Sequence, residues 1–301
     1  MEKNTNKYVK KKILYIKNFD GGKNLDYLKK FSNVYLQCVR STQIIYYNIE
    51  KLNKFIKPYD IIIIGGGPQH LTTNDYLTTY PEIKNQIEIV KLVSNRYQKN
   101  KLLIGICLGC QIIGLSYGLK IVSSEKTIFG FNYLDTNTIN HNLINHSNDK
   151  YLNKLDFNLL AKSLSFHNDY VYFTNDNKLE SDVLNLISQS NEGHPYILTN
   201  KNLNIYGFQF HPEITSNSIS DIINLYYGMI SSNLNNSTNH LKKLELERET
   251  ELEKIYNHFF DIFINNNNWI KSTWRNNFII KYKKVLYSLK KVVDEPVKKK
   301  C

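Results

Sequence analysis

Two uninterrupted apolar runs in this chain each stop at a glycine-lined turn. One strand reads over Asp60-Ile61-Ile62-Ile63-Ile64 and ends at Gly65-Gly66-Gly67-Pro68. Another reads over Lys101 to Ile106 and ends at Cys107-Leu108-Gly109. A strand with one wet face alternates apolar and polar side chains. A run without polar residues suits a sheet covered on both faces, as central parallel strands are. Lys12 to Ile16 reads as another buried strand behind a basic tail. From about Ile83 to Gln98 the apolar positions Ile87, Val90, Val93 and Tyr97 recur at helical spacing, and Leu108 to Tyr117 reads as a second helix. Strand, helix and strand alternate, which predicts an α/β fold with a central, mostly parallel sheet flanked by helices.

From Ile121 to about Phe210 the pattern changes to short β-type runs separated by Asn/Asp-rich turns: Thr127 to Phe131, Tyr170 to Phe173 and Ile205 to Phe210. A helix is expected from about Ser218 to Ile230. The polar stretch Ser231 to Asn239 then reads as a linker. Beyond it, Leu241, Leu244, Leu252, Ile255, Phe259 and Ile262 or Phe263 outline one amphipathic helix, ended by Asn265 to Asn268. Phe278, Tyr282, Val285, Leu289 and Val292 outline another. The expected organisation is a main domain over 10–232, a linker over 233–239 and a basic helical extension over 240–301. A length of 301 residues suits one large domain plus an extension, and an apolar content of 42% with 22% charged residues excludes a wholly disordered or collagen-like chain.

The net charge of +12 raises nucleic acid as a partner. Two observations weaken that reading. The cations are nearly all Lys, with Arg only at Arg40, Arg96, Arg248 and Arg275, and Ala occurs once, at Ala161, amid abundant Asn, Ile and Tyr. That is the bias of an AT-rich genome. The charge is also uneven: from Lys254 to Cys301 eleven Lys/Arg face three Asp/Glu, so this stretch alone carries about +8. Nucleic acid is therefore disfavoured as a partner. The basic stretch is expected to be the solvated face of a packed helical hairpin, with docking of an acidic partner as the sharper alternative.

No run of 18 or more apolar residues occurs, so no membrane span is expected. Met1 to Lys12 lacks an apolar stretch of signal-peptide length. The four cysteines, Cys38, Cys107, Cys110 and Cys301, are too scattered for a disulfide framework, and a reducing, cytoplasmic setting is expected.

The chemistry is concentrated at Gly105-Ile106-Cys107-Leu108-Gly109-Cys110-Gln111. A strand runs into Cys107 and a helix starts directly after it, the layout of a nucleophile elbow. The helix N-terminus beside the thiol favours its reactive thiolate form. A thiol nucleophile needs a base and an orienting group. Tyr206 to Phe210 leads into His211-Pro212-Glu213, and residues two apart on extended chain share a side, so His211 and Glu213 can face one site. The Gly65–Pro68 loop can turn backbone N–H groups toward a developing oxyanion, with Gly67 and Leu108 as the expected donors. A Cys107-x-x-Cys110 redox pair, disfavoured by Gly109 in the turn and the following Gln111, and a phosphate-binding glycine loop, which lacks its motif, are the competing readings.

In their order, Gly-Gly-Gly-Pro, Gly-Ile-Cys-Leu-Gly-Cys-Gln and Gly-Phe-Gln-Phe-His-Pro-Glu, these segments resemble the class I glutamine amidotransferases over about residues 10–232. Ser165-Phe166-His167-Asn168-Asp169 adds a fourth match, to the family segment that borders the glutamine pocket, with Asn168 where Gly is common. The resemblance implies a flavodoxin-like class I amidotransferase fold and hydrolysis of glutamine to glutamate and ammonia through a Cys107 thioester. His211 would be the base and Glu213 its orienting group, with Gln111, His167, Asn168 and Asp169 around the substrate. It implies no metal and no organic cofactor.

Segment lengths most resemble the amidotransferase part of GMP synthase and its free-standing relatives. The Ser-Gly-Gly-Val-Asp-Ser loop of the ATP-pyrophosphatase part is absent from this sequence, and about 60 residues after the linker cannot hold that domain. The resemblance thus implies either an amidotransferase subunit that passes ammonia to a separate synthetase (ATP-pyrophosphatase) subunit in a GMP-synthase-like system, or a free-standing relative. Two other functions are weighed against it: a γ-glutamyl peptide hydrolase using the same triad, and a non-catalytic binding or regulatory protein on this scaffold.

Overall fold

The computed structural model describes residues 10–19, 28, 34–45, 47–94, 100–131, 133–146, 149, 151–173, 184–215, 218 and 238–265. Among them, nine strands are β1 (Lys11–Lys17), β2 (Val34–Arg40), β3 (Ile61–Ile64), β4 (Leu102–Ile106), β5 (Lys120–Gly130), β6 (Ser165–Tyr172), β7 (Leu184–Gln189), β8 (Pro195–Asn200) and β9 (Ile205–Phe208). The helices used below are α1 (Ile49–Ile56), α2 (Pro81–Ser94), α3 (Leu108–Ser116) and α4 (Thr238–Asn265). One sheet runs β2-β1-β3-β4-β9-β8-β7, while β5 and β6 form a separate antiparallel pair. The first five strands of the sheet are parallel, and β8 and β7 close it in antiparallel pairings.

The apolar runs behave as their composition requires. Ile13, Tyr15, Ile61, Ile63, Leu102 and Ile104 face one core, and Leu14, Ile16, Ile62, Ile64 and Leu103 face the other. Alternate side chains leave a strand on opposite faces, so a run apolar throughout supplies both cores at once. Helices α1, α2 and α3 bury Leu52, Ile56, Ile83, Val90, Ile112 and Ile113 in the second core. Helix α4 buries Leu252, Ile255, Tyr256, Phe259, Phe260 and Phe263 in the first. There Phe259 lies edge-on to Phe208 of β9 with ring centroids 4.8 Å apart. Lys162 pairs with Glu251, and the Asp156 N–H donates to His258 Nε2 at 2.8 Å, holding α4 to the same unit.

The sheet differs from the sequence reading in β2, β7 and β8, which the reading omitted: β7 and β8 are short runs interrupted by Asn, Ser and Thr, and β2 lies at the sheet edge. Its residues, Val-Tyr-Leu-Gln-Cys-Val-Arg, are mostly half-buried or exposed, as an edge strand's are, so it shows no apolar run. The chain divides into a compact unit over 1–264 and a second over 265–301. Helix α4 starts at Thr238 and stops at Asn265, where the run of asparagines begins. All but the first residue of the helix expected over 218–230, most of the linker, and the second amphipathic segment near Phe278 to Val292 lie outside the described residues. Among the described residues no helix is long and apolar enough to cross a membrane.

Candidate active site

Parallel strands all end at one rim, and there β3, β4 and β9 deliver the three segments singled out by the sequence. At the end of β4, Cys107 adopts φ 53°, ψ −105°, a backbone region that residues with a Cβ rarely enter. Helix α3 begins at the next residue. Its first turn lies so close to β3 that a Cβ on Gly109 would come within 2.1 Å of the Ile64 carbonyl oxygen, so only glycine fits there. Cys110 faces the sheet, against Gly207, where burial pushes its thiol well above the ordinary range.

The Cys107 side chain is buried, 6% exposed, between groups from three segments. Its thiol faces the Phe166 carbonyl oxygen of β6 at 3.7 Å, and Gln209 Nε2 approaches the sulfur at 3.9 Å. The His211 N–H donates to the Leu164 carbonyl at 2.8 Å, which fixes the chain just past β9. His211 Nδ1 meets Glu213 Oε1 at 2.8 Å, and the Cys107 thiol lies close enough to the same imidazole to raise its pKa. With Nδ1 held by the carboxylate, Nε2 is the nitrogen left for the thiol. Burial pulls the His211 pKa down. The Glu213 charge and the Cys107 thiol outweigh it and hold the imidazole well above its ordinary value. Gly66 lies against this pair: a Cβ there would be 3.0 Å from His211 Cε1 and 3.4 Å from Cys107 Cβ.

Gly67 and Leu108 are brought side by side. A Cβ on Gly67 would approach Leu108 Cδ2 at 3.0 Å. Neither backbone N–H donates to another backbone group among the described residues. Gln111 is buried in the first turns of α3 and donates from Nε2 to the Asp169 carbonyl at 2.7 Å, tying the elbow to β6. Asp169 itself is engaged on both oxygens, by Ser123 Oγ at 2.7 Å and by His70 Nδ1 at 3.1 Å. His167 is 6% exposed with neither ring nitrogen hydrogen-bonded, and Asn168 Oδ1 is likewise buried without a partner. Burial, with the charges of His211 and His194, pulls the His167 pKa down to about 3, so the ring is neutral.

All nine residues named from the sequence therefore collect at this rim or on the ribbon of β5 and β6 beside it. The sequence reading missed Gln209, His70, Ser123 and the Phe166 carbonyl. Gln209 carried a signal, since it lies two residues before His211 and shares its side of the extended chain. Among the described residues no group of three or more His, Cys, Asp or Glu is arranged to hold a metal ion.

The family model described as "Glutamine amidotransferase class-I" matches residues 24–224. The chain belongs to the class I glutamine amidotransferases. Among relatives, GMP synthase (glutamine-hydrolyzing) of Brachyspira hyodysenteriae is 25% identical over 78% of this chain and 41% of its own length. The chain thus spans less than half of that protein. One GMP synthase (glutamine-hydrolyzing) subunit of Sulfurisphaera tokodaii is 27% identical over 55% of this chain and 73% of its own. A solved glutamine amidotransferase from Thermotoga maritima shares the fold with a TM-score of 0.59 at 14% identity, over 84% of this chain and 98% of that one.

Proposed function

We propose that the chain hydrolyses the side-chain amide of glutamine to glutamate and ammonia, with Cys107, His211 and Glu213 as its triad. The observation that carries this reading is the convergence of the three: a buried thiol beside an imidazole whose Nδ1 rests on a buried carboxylate. His211 Nε2 holds the proton drawn from the thiol as Cys107 Sγ attacks the amide carbon. The Gly67 and Leu108 N–H groups stabilise the oxyanion of the tetrahedral intermediate. That intermediate collapses to a γ-glutamyl thioester as His211 returns the proton to the departing nitrogen, which leaves as ammonia. His211 then takes a proton from water as the water attacks the thioester, and glutamate leaves as the proton returns to sulfur. Glu213 keeps the imidazole in the tautomer that both steps need. His167, Asn168 and Asp169 line the substrate side of the thiol, with Gln111 fixing their strand.

The ammonia would serve a GMP-synthase-like system, in which a separate ATP-pyrophosphatase subunit is the acceptor and purine synthesis the setting. The two GMP synthase relatives support this, one of them a single subunit of such an enzyme. The test is ammonia release from glutamine by the purified chain, alone and with a candidate synthetase, set beside cleavage of γ-glutamyl peptides. Release abolished by Cys107→Ala is expected. A chain inert with every partner, whose Cys107→Ala variant keeps its biological role, would overturn the enzymatic reading. Affinity capture from the native host identifies the acceptor.

A further inference from the structure

The glycine loop that would cradle the oxyanion has no side chains of its own over residues 65–67, so its conformation must be set from outside. Two buried amides do this. Asn18, the residue after β1, donates from Nδ2 to the Gly65 carbonyl at 3.0 Å and to Gln86 Oε1 at 3.0 Å. Gln86, in α2, donates back from Nε2 to Asn18 Oδ1 at 2.8 Å. Gln86 is fully buried and Asn18 is 8% exposed.

Asn18 also meets the loop elsewhere. Its own carbonyl accepts from Gln69 Nε2 at 3.3 Å, and a Cβ on Gly67 would come within 2.6 Å of Asn18 Cβ. At the loop entrance the Gly65 N–H donates to the Ile16 carbonyl at 3.0 Å. The peptide between Gly65 and Gly66 is planar and trans, so a carbonyl held on Asn18 turns the Gly66 N–H to the opposite side. The bond from Asn18 thus sets that plane, and the close approach of Asn18 to Gly67 restricts the two rotations at Gly66 that separate this plane from the Gly67 N–H.

We infer that the Asn18–Gln86 amide pair is a positioning device for catalysis: it holds the glycine loop so that the Gly67 N–H faces the reacting oxygen. The pair touches neither the thiol nor the imidazole. It acts through the loop, and the inference rests on the oxyanion role proposed above for Gly67. A displaced donor costs transition-state stabilisation while leaving thiol reactivity intact. Leucine at 18 keeps the volume without the amide, and Asp at 18 keeps an acceptor for Gln86 but loses the donor to Gly65. Met at 86 leaves the bond to Gly65 in place.

The experiment uses the full chain and three readouts: turnover of glutamine, alkylation of Cys107 by iodoacetamide followed by mass spectrometry of its peptide, and affinity for an aldehyde analogue of glutamine. Alkylation is a displacement that forms no oxyanion, whereas the aldehyde adds to the thiol as a tetrahedral adduct that does. In Asn18→Leu and Asn18→Asp, kcat and aldehyde affinity are expected to fall together by roughly tenfold or more, with alkylation and KM within about threefold of wild type. Gln86→Met should show the same pattern more weakly, and it serves as the variant if those at 18 fail to fold. Equal loss of alkylation and turnover, or undiminished aldehyde affinity, overturns the inference. A wild-type chain that forms neither adduct nor ammonia overturns the function first and the inference with it. An adduct that forms without turnover still tests the inference by itself.

Discussion

His211 Nδ1 lies 2.8 Å from Glu213 Oε1, two residues along the same chain, and both side chains are nearly buried. The carboxylate counters the burial that would otherwise discharge the ring. Glu213→Gln keeps the shape and removes the charge, so the His211 pKa should fall and kcat for glutamine should drop by roughly a hundredfold or more. The native pKa of His211 lies above its unfolded value, so the pair's contribution to stability is complete below about pH 6.5 and is lost as pH rises through the native value. The melting advantage of wild type over Glu213→Gln should accordingly be larger at pH 6 than at alkaline pH. A gap that widens with rising pH would contradict the assignment.

Cys107 occupies a backbone conformation that costs a non-glycine residue about 1–3 kcal/mol. Glycine relieves this and alanine does not. Cys107→Gly should therefore melt at or above Cys107→Ala, the reverse of the usual ranking, while both lose glutamine hydrolysis. Thermal unfolding of the two variants side by side measures the difference.

His167 is held neutral with its pKa pulled down to about 3. In the unfolded chain it takes up a proton near pH 6.5, and in the native one it does not. Stability should thus fall as pH drops from about 6.5 toward 3, with a slope from this ring approaching about 1.4 kcal/mol per pH unit. His167→Phe should flatten that slope in a denaturant titration at stepped pH. An unchanged slope would mean that the ring charges in place.

Phe259 of α4 is fully buried against Phe208, Phe260 and Phe263. Phe259→Ala should cost about 3–5 kcal/mol through the lost burial and the cavity left behind. Chemical denaturation measures it. Because Phe208 precedes His211 by three residues on the same segment, turnover should also fall, by less than in Glu213→Gln.

The central strands were legible because β3 and β4 need apolar residues on both faces, and the α4 stripe because Leu252, Ile255 and Phe259 recur at helical spacing and are buried. The elbow and the His-x-Glu pair were legible because each is a contiguous segment whose local geometry follows from extended chain or a strand-to-helix turn. Strand β2 was not, since an edge strand with half-exposed residues shows no pattern. Nor were the contacts of Asn18 with Gln86, or of His70 with Asp169. These partners are 68 and 99 residues apart in the chain and meet only after the sheet has formed. Polar pairs of that kind leave no periodic trace.

The two rims of the sheet are built on opposite principles. Where the strands start, Asp60, Lys101 and Asn204 have their polar groups engaged. Asp60 takes the Lys12 N–H on its carboxylate and the Leu102 N–H on its carbonyl. Lys101 Nζ donates to the carbonyls of Ile56, Lys57 and Tyr59, and Asn204 Nδ2 donates to those of Val93 and Lys101. Around the other rim, His167, Gln209 and Glu213 keep buried polar atoms without partners. The same strands are therefore tied by Asp60, Lys101 and Asn204 at one end and left with open valences at His167, Gln209 and Glu213 at the other. A mutational scan should read as two landscapes, with loss of folding where the strands begin and loss of turnover where they finish.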